Sequence, residues 1–208
     1  MTAITESFLH QQLRDATHAG HCAVNRHPVF SPLLSPGLTL LQYGNALCAL
    51  HGMVAATERS ILVFLDRQPA WFDYAPRIKC SALDADLAAL GRTPPASPVH
   101  WPLVRDAGGL FGSLYALEGS TLGGEFIARR LREPSRQDFP MAFYDIYGGR
   151  ASERWEQFLA LASAACPVTQ YGSATAIAAS LFAALALHLD AVQPRLPMTN
   201  CARLSRPR

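Results

Sequence analysis

Arg14, His18, His21 and His27 stand close together near the N-terminus. Imidazole is the side chain best suited to bind a metal or move a proton near neutral pH. His18 and His21 are three residues apart, a spacing that suits a metal pair on a helix, but no Asp, Glu or Cys on that face completes a ligand set. His21 therefore has two readings, a single axial ligand or a hydrogen-bonded core histidine. A second unusual stretch lies far along the chain. Six of the fourteen glycines (Gly108, Gly109, Gly112, Gly119, Gly123 and Gly124) fall in what otherwise reads as one helix. Each glycine inside a helix costs about 0.5–1 kcal/mol relative to alanine. Two gains could offset that: close packing of another helix, or a flat ligand lying on bare backbone at a kink. The five cysteines are scattered and form no C-x-x-C pair, so neither a disulfide framework nor a zinc site is indicated.

The elements that must position these residues are helical. Phe8, Leu9, Leu13, Ala16, Thr17, Gly20, His21 and Val24 recur at helical spacing and predict a first helix over 6–26, with His21 on its buried stripe. Pro28, Pro32 and Pro36 then break the chain. A long helix is predicted over 39–65 and a third over 73–90, with Gly91 as its stop. A proline-rich connection leads to the glycine-rich helix at 104–132, a turn region at 139–149, and helices at 152–165 and 174–192. No segment alternates as a strand does. The expected fold is an all-α single domain of six to eight helices over residues 1–192, with a polar, frayed tail at 193–208.

Composition narrows the function classes. Half the residues are apolar and 16% are charged, as in a globular protein. A net charge of +2 argues against a nucleic-acid binder. The apolar run at 174–187 is too short to span a bilayer, and the N-terminus has no signal-peptide pattern, so a cytoplasmic protein without a membrane partner is expected.

In an all-α domain a planar apolar cofactor fits between two facing helices. Haem needs an axial base, and His21 could supply it. Bare backbone at Gly119, Gly123 and Gly124 on the other side would admit dioxygen and little else. Arg14, two turns before His21, could pair with a propionate, although a solvated surface arginine is the ordinary reading.

The residues from Leu13 to His21 resemble the proximal-helix motif of haem oxygenases. Leu117-Glu-Gly-Ser-Thr-Leu-Gly-Gly-Glu125 resembles the distal-helix motif of their bacterial, biliverdin-producing branch, the type found beside bacteriophytochromes. Residues 77–91 are similar to a third segment of that family. The resemblance spans about 10–190 in order. It implies His21 as iron ligand, Arg14 and Tyr115 as propionate contacts, and Gly119, Ser120, Gly123 and Gly124 lining the distal side. It also implies haem b as substrate and cofactor, dioxygen, and external electrons from a reduced ferredoxin or similar donor. A bacteriophytochrome is the implied acceptor of biliverdin, and the protein is expected to be monomeric. Two departures stand out. Ser120 replaces the aspartate of mammalian members, and Asn25 replaces a carboxylate one turn after the proximal histidine. Ser120 is then expected to hold a proton-delivering water, directly or through Asn25. A haem carrier without turnover is the main alternative, and a thiaminase-like hydrolase with a reactive cysteine a remoter one.

Overall fold

Thr39 shows how firmly local chemistry starts these helices. Its hydroxyl accepts from the Gln42 amide at 3.2 Å, and the Gln42 side chain accepts from the Thr39 amide at 3.0 Å. This reciprocal cap opens the longest helix of a computed structural model that describes residues 7–68, 72–133 and 139–197. The helices are α1 (Phe8–Arg26), α2 (Leu40–Asp66), α3 (Cys80–Ala89), α4 (Ala107–Leu131), α5 (Ala151–Ala165) and α6 (Tyr171–Val192). No strand occurs among the described residues. The all-α single-domain expectation holds.

Three boundaries differ from expectation for physical reasons. The third helix begins at Cys80, not 73, because the chain around Pro76 forms a separate 3-10 turn at Ala75–Arg77. Its free N-terminal amides are satisfied from another helix: the buried Glu58 carboxylate of α2 accepts from Lys79 N at 2.6 Å and Cys80 N at 3.0 Å. The glycine-rich helix starts at Ala107, where Asp106 caps it by accepting from Gly109 N, and then runs unbroken to Leu131. The packed chain also continues past 192. Gln193–Arg195 form a 3-10 turn, Leu196 is buried, and Pro197 O accepts from Asn45. The rest of the expected tail lies outside the described residues.

α6 packs against both α1 and α4. Gly108 and Gly112, one turn apart, make the second contact. A Cβ at Gly108 would strike Gln170 O, and one at Gly112 would strike Ala174 O. Backbone thus meets backbone, which only small residues permit. Gly20 lets α1 pack closely on a side chain of α6, since a Cβ there would lie 2.8 Å from Phe182 Cβ. The apolar run of the last helix extends beyond 174–187. By length and composition both α2 and α6 are long enough to cross a bilayer, and here both help build the core.

Further along α4, on a neighbouring face, lies a buried charge cluster. Lys79 Nζ donates to Glu118 Oε1 and to Tyr147 Oη, each at 2.9 Å, and Tyr147 donates in turn to Glu118 at 3.0 Å. Arg77 Nη1 lies 3.0 Å from Glu118 Oε2, but at an angle that makes no hydrogen bond at that nitrogen. One carboxylate on α4 thereby gathers the approach to α3 and the turn region at 139–149. Truncating one member of such a buried group strands the others.

Two stability predictions follow from these contacts. Gly112→Ala should lower stability by about 1–3 kcal/mol, because α4 and α6 must separate, whereas Gly123→Ala should raise it by about 0.5–1 kcal/mol. Glu118→Ala should cost about 3–5 kcal/mol. Denaturant melts of the three variants check both.

Candidate functional site

Leu9, Leu13, Thr17 and Val24 are the positions of α1 that are buried against the core. His21 is not among them. It lies at the edge of that stripe, exposed, with its ring edge-on to Phe182 at 5.7 Å. The expected buried stripe was too wide, for Phe8 and Ala16 are exposed as well. The Asn25 amide nitrogen sits 3.3 Å from His21 Nε2 and 3.4 Å from Nδ1, so it can engage the ring in either tautomer. Partial burial, with a smaller push from His18, holds the His21 pKa below its ordinary 6.5. The imidazole is therefore neutral at pH 7 and keeps a lone pair for a metal. Arg14 lies on the same flank two turns earlier, exposed, with its Nε 4.0 Å from Asp15.

The glycines of α4 divide between the two readings. Gly108 and Gly112 serve helix packing. Gly124 faces Tyr144, where a Cβ would come within 2.8 Å of the ring. Gly119 and Gly123 do neither. A Cβ on Gly119 would make only ordinary contact with Trp155 at 3.7 Å, and one on Gly123 would meet nothing within 4 Å. Between them Ser120 is exposed, and its hydroxyl donates back to Leu117 O at 2.7 Å. Its proton is thus engaged within the helix, while its lone pairs stay available to accept.

Three rings join α1 to α4. His10 of α1 stacks edge-on against Trp155 of α5 at 5.6 Å and lies 6.2 Å from Tyr115 of α4, and Tyr115 lies 5.5 Å from Trp155. α1 runs parallel to α6, with Phe8 beside Tyr171 and Gly20 beside Phe182. α4 begins beside the same end of α6. Both helices leave the start of α6 in the same general sense. Gly119 and Gly123 lie one and two turns beyond Tyr115, and His21 lies three turns beyond His10 on the same side of its helix. Sequence reasoning missed His10, Trp155 and Phe182, because an aromatic residue at helical spacing reads as core.

These features fit a flat apolar group that needs one neutral nitrogen ligand: the open backbone at Gly119 and Gly123, the aromatic walls and the neutral His21. Cys48, Cys80 and Cys166 do not fit the nucleophile of a cysteine hydrolase. Burial beside Asp84 pushes the Cys80 thiol up to about 11, and burial raises Cys48 and Cys166 as well, so none of these is an activated nucleophile.

No protein-family model matches the chain, and neither does any curated protein sequence. A solved structure, the NO- and CO-bound heme oxygenase from Neisseria meningitidis, is similar over 88% of this chain and 90% of that one, with a TM-score of 0.66 and 20% identity. The chain has the haem oxygenase fold.

His21 should titrate below 6.5 in a histidine NMR pH series, assigned with His21→Gln. The fully buried His188 is shifted down by burial too. Protonating either opposes folding, so stability should hold above pH 6.5 and fall as the pH drops through the lowered folded values.

Proposed function

We propose that the protein is a haem oxygenase that opens haem at a meso carbon, giving biliverdin, carbon monoxide and Fe²⁺. The observation that carries the reading is a neutral, accessible histidine on α1 paired with open glycine backbone on α4, within the haem oxygenase fold. The Leu117–Glu125 motif supports placing it in the biliverdin-producing branch found beside bacteriophytochromes. Haem is the substrate, and its iron supplies the centre at which dioxygen is reduced. The electrons come from an external donor such as a reduced ferredoxin.

The protein's own residues bind, orient and exclude. His21 would offer its ring nitrogen to the iron, which would displace the hydrogen bond that the Asn25 amide donates to that nitrogen. Arg14, at the outer end of that flank, is placed to meet a propionate. Tyr115, Trp155 and Phe182 would border the macrocycle with apolar surface. Gly119 and Gly123 would leave bare backbone on the distal side for a small ligand, and the helix there would limit the direction from which a meso carbon is reached. Ser120, whose oxygen can still accept, would hold a water able to pass a proton inward.

A haem carrier is the second reading, and one observation favours it. The Ser120 hydroxyl proton is committed to Leu117 O, which removes a distal donor.

Hemin added to the purified protein, followed by a ferredoxin system in air with catalase, separates the two. Loss of the Soret band with growth of a biliverdin band is the expected outcome, and a persistent Soret band would favour the carrier. His21→Ala should lose the histidine-ligated spectrum. If that spectrum survives, another residue holds the iron. Gly123→Leu should keep haem binding but lose ring opening or change the isomer, read by chromatography. An unchanged rate and product would remove steering by the distal backbone.

A further inference from the structure

A third set of chemically capable side chains lies on α2 and α3, which contribute none of the residues proposed for the haem cleft. His51 Nε2 is 3.0 Å from Asp84 Oδ1, and Cys80 Sγ is 3.7 Å from Asp84 Oδ2. The Asp84 carboxylate thus divides its two oxygens between an imidazole and a thiol. The three donor atoms all lie within 4.8 Å of one another. We propose that His51, Cys80 and Asp84 form a zinc site, with solvent completing the coordination.

The donor set is one nitrogen, one sulfur and one oxygen, which suits borderline-soft Zn²⁺ better than Mg²⁺ or Ca²⁺. Thiolate and carboxylate together balance the charge of the ion, and binding releases the thiol proton to solvent. The spacing also suits it. Zinc bonds of about 2.0–2.3 Å in tetrahedral geometry need donors about 3.3–3.8 Å apart. His51 and Cys80 each stand near that distance from one of the two Asp84 oxygens, and with one oxygen taken as the ligand all three donors lie within 4.8 Å, so a small closure brings them onto one ion. Cys80 and Asp84 are one turn apart on α3, so they share a face. The carboxylate of Glu58, two turns after His51 on α2, holds the Cys80 amide at 3.0 Å and so fixes the start of α3 against α2. His51 is three-quarters buried and Asp84 is more than half exposed, leaving a path for the ion. The site has no sequence signature because its ligands are 29 and 4 residues apart, unlike the paired spacings of zinc modules.

The full-length protein, stripped with a chelator and kept reduced, would be titrated with Co²⁺. A thiolate-to-cobalt charge-transfer band should appear and should be bleached by stoichiometric Zn²⁺. Cys80→Ser should remove it. His51→Ala, with folding checked by circular dichroism, should weaken Zn²⁺ binding by more than about 100-fold, beyond what outer-shell changes cost. Cys22→Ser should keep the band, although Cys22 Sγ lies 3.8 Å from His18 and forms a second thiol–imidazole pair. His21→Ala should also keep it, so the result is independent of the haem reading. No band in the wild type, or a band that survives Cys80→Ser or is lost in Cys22→Ser, would overturn the proposal.

Discussion

α4 and α6 approach until the backbone of one meets the backbone of the other. Gly108 and Gly112 present no side chain, and the carbonyl oxygens of Gln170 and Ala174 occupy the space that a Cβ would take. Asp106 reinforces the junction. It caps α4 and also accepts from Ser173 of α6 at 2.9 Å. Because α6 is held this close, and because Gly20 lets α1 settle against Phe182 of the same helix, α6 sets the spacing of the two helices that carry the candidate site. The glycine cost in helix propensity is thus spent first on architecture.

The same helix is held a second time by charge. Glu118 faces away from solvent and collects Lys79, Arg77 and Tyr147. Such a cluster is costly to desolvate and contributes little net stability, yet it tolerates few alternative arrangements. Glu58 performs a related task, drawing its hydrogen bonds from Tyr74 and from the first amides of α3. α4 is therefore fixed by backbone contact at its start and by ion pairing near its middle. Around Ser120 and Gly123 it presents a stretch with room beside it. A rigid helix with one bare stretch is a suitable wall for a small ligand whose direction of approach matters.

Likeness to a solved haem oxygenase at 20% identity establishes the fold. Chemistry rests on the particular side chains placed on it. Here these are a neutral imidazole with an amide against it on one helix, and a serine whose proton is already engaged on the other. The first supports iron ligation. In the proposed function the second would leave the proton supply to a water held near Ser120.

Much was legible in the sequence, because helical period and caps are local. All six helices were read near their places, as were the turn at 139–149 and the two segments with unusual residues. His21, Gly119 and Gly123 could be singled out because a histidine beside an apolar stripe and glycines inside a helix both go against local preference. The start of α3 could not be read, since its amides are capped by a carboxylate more than twenty residues away. The burial of Lys79 and Glu118 was equally hidden, for a single charge in a helix reads as surface until its partners are known. The sequence also could not divide the glycines. Gly108, Gly112, Gly119 and Gly123 have the same local chemistry, and only the position of α6 decides which two are packed and which two are open. His51, Cys80 and Asp84 converge for the same kind of reason, since side chains distant in the chain become neighbours only once two helices have docked.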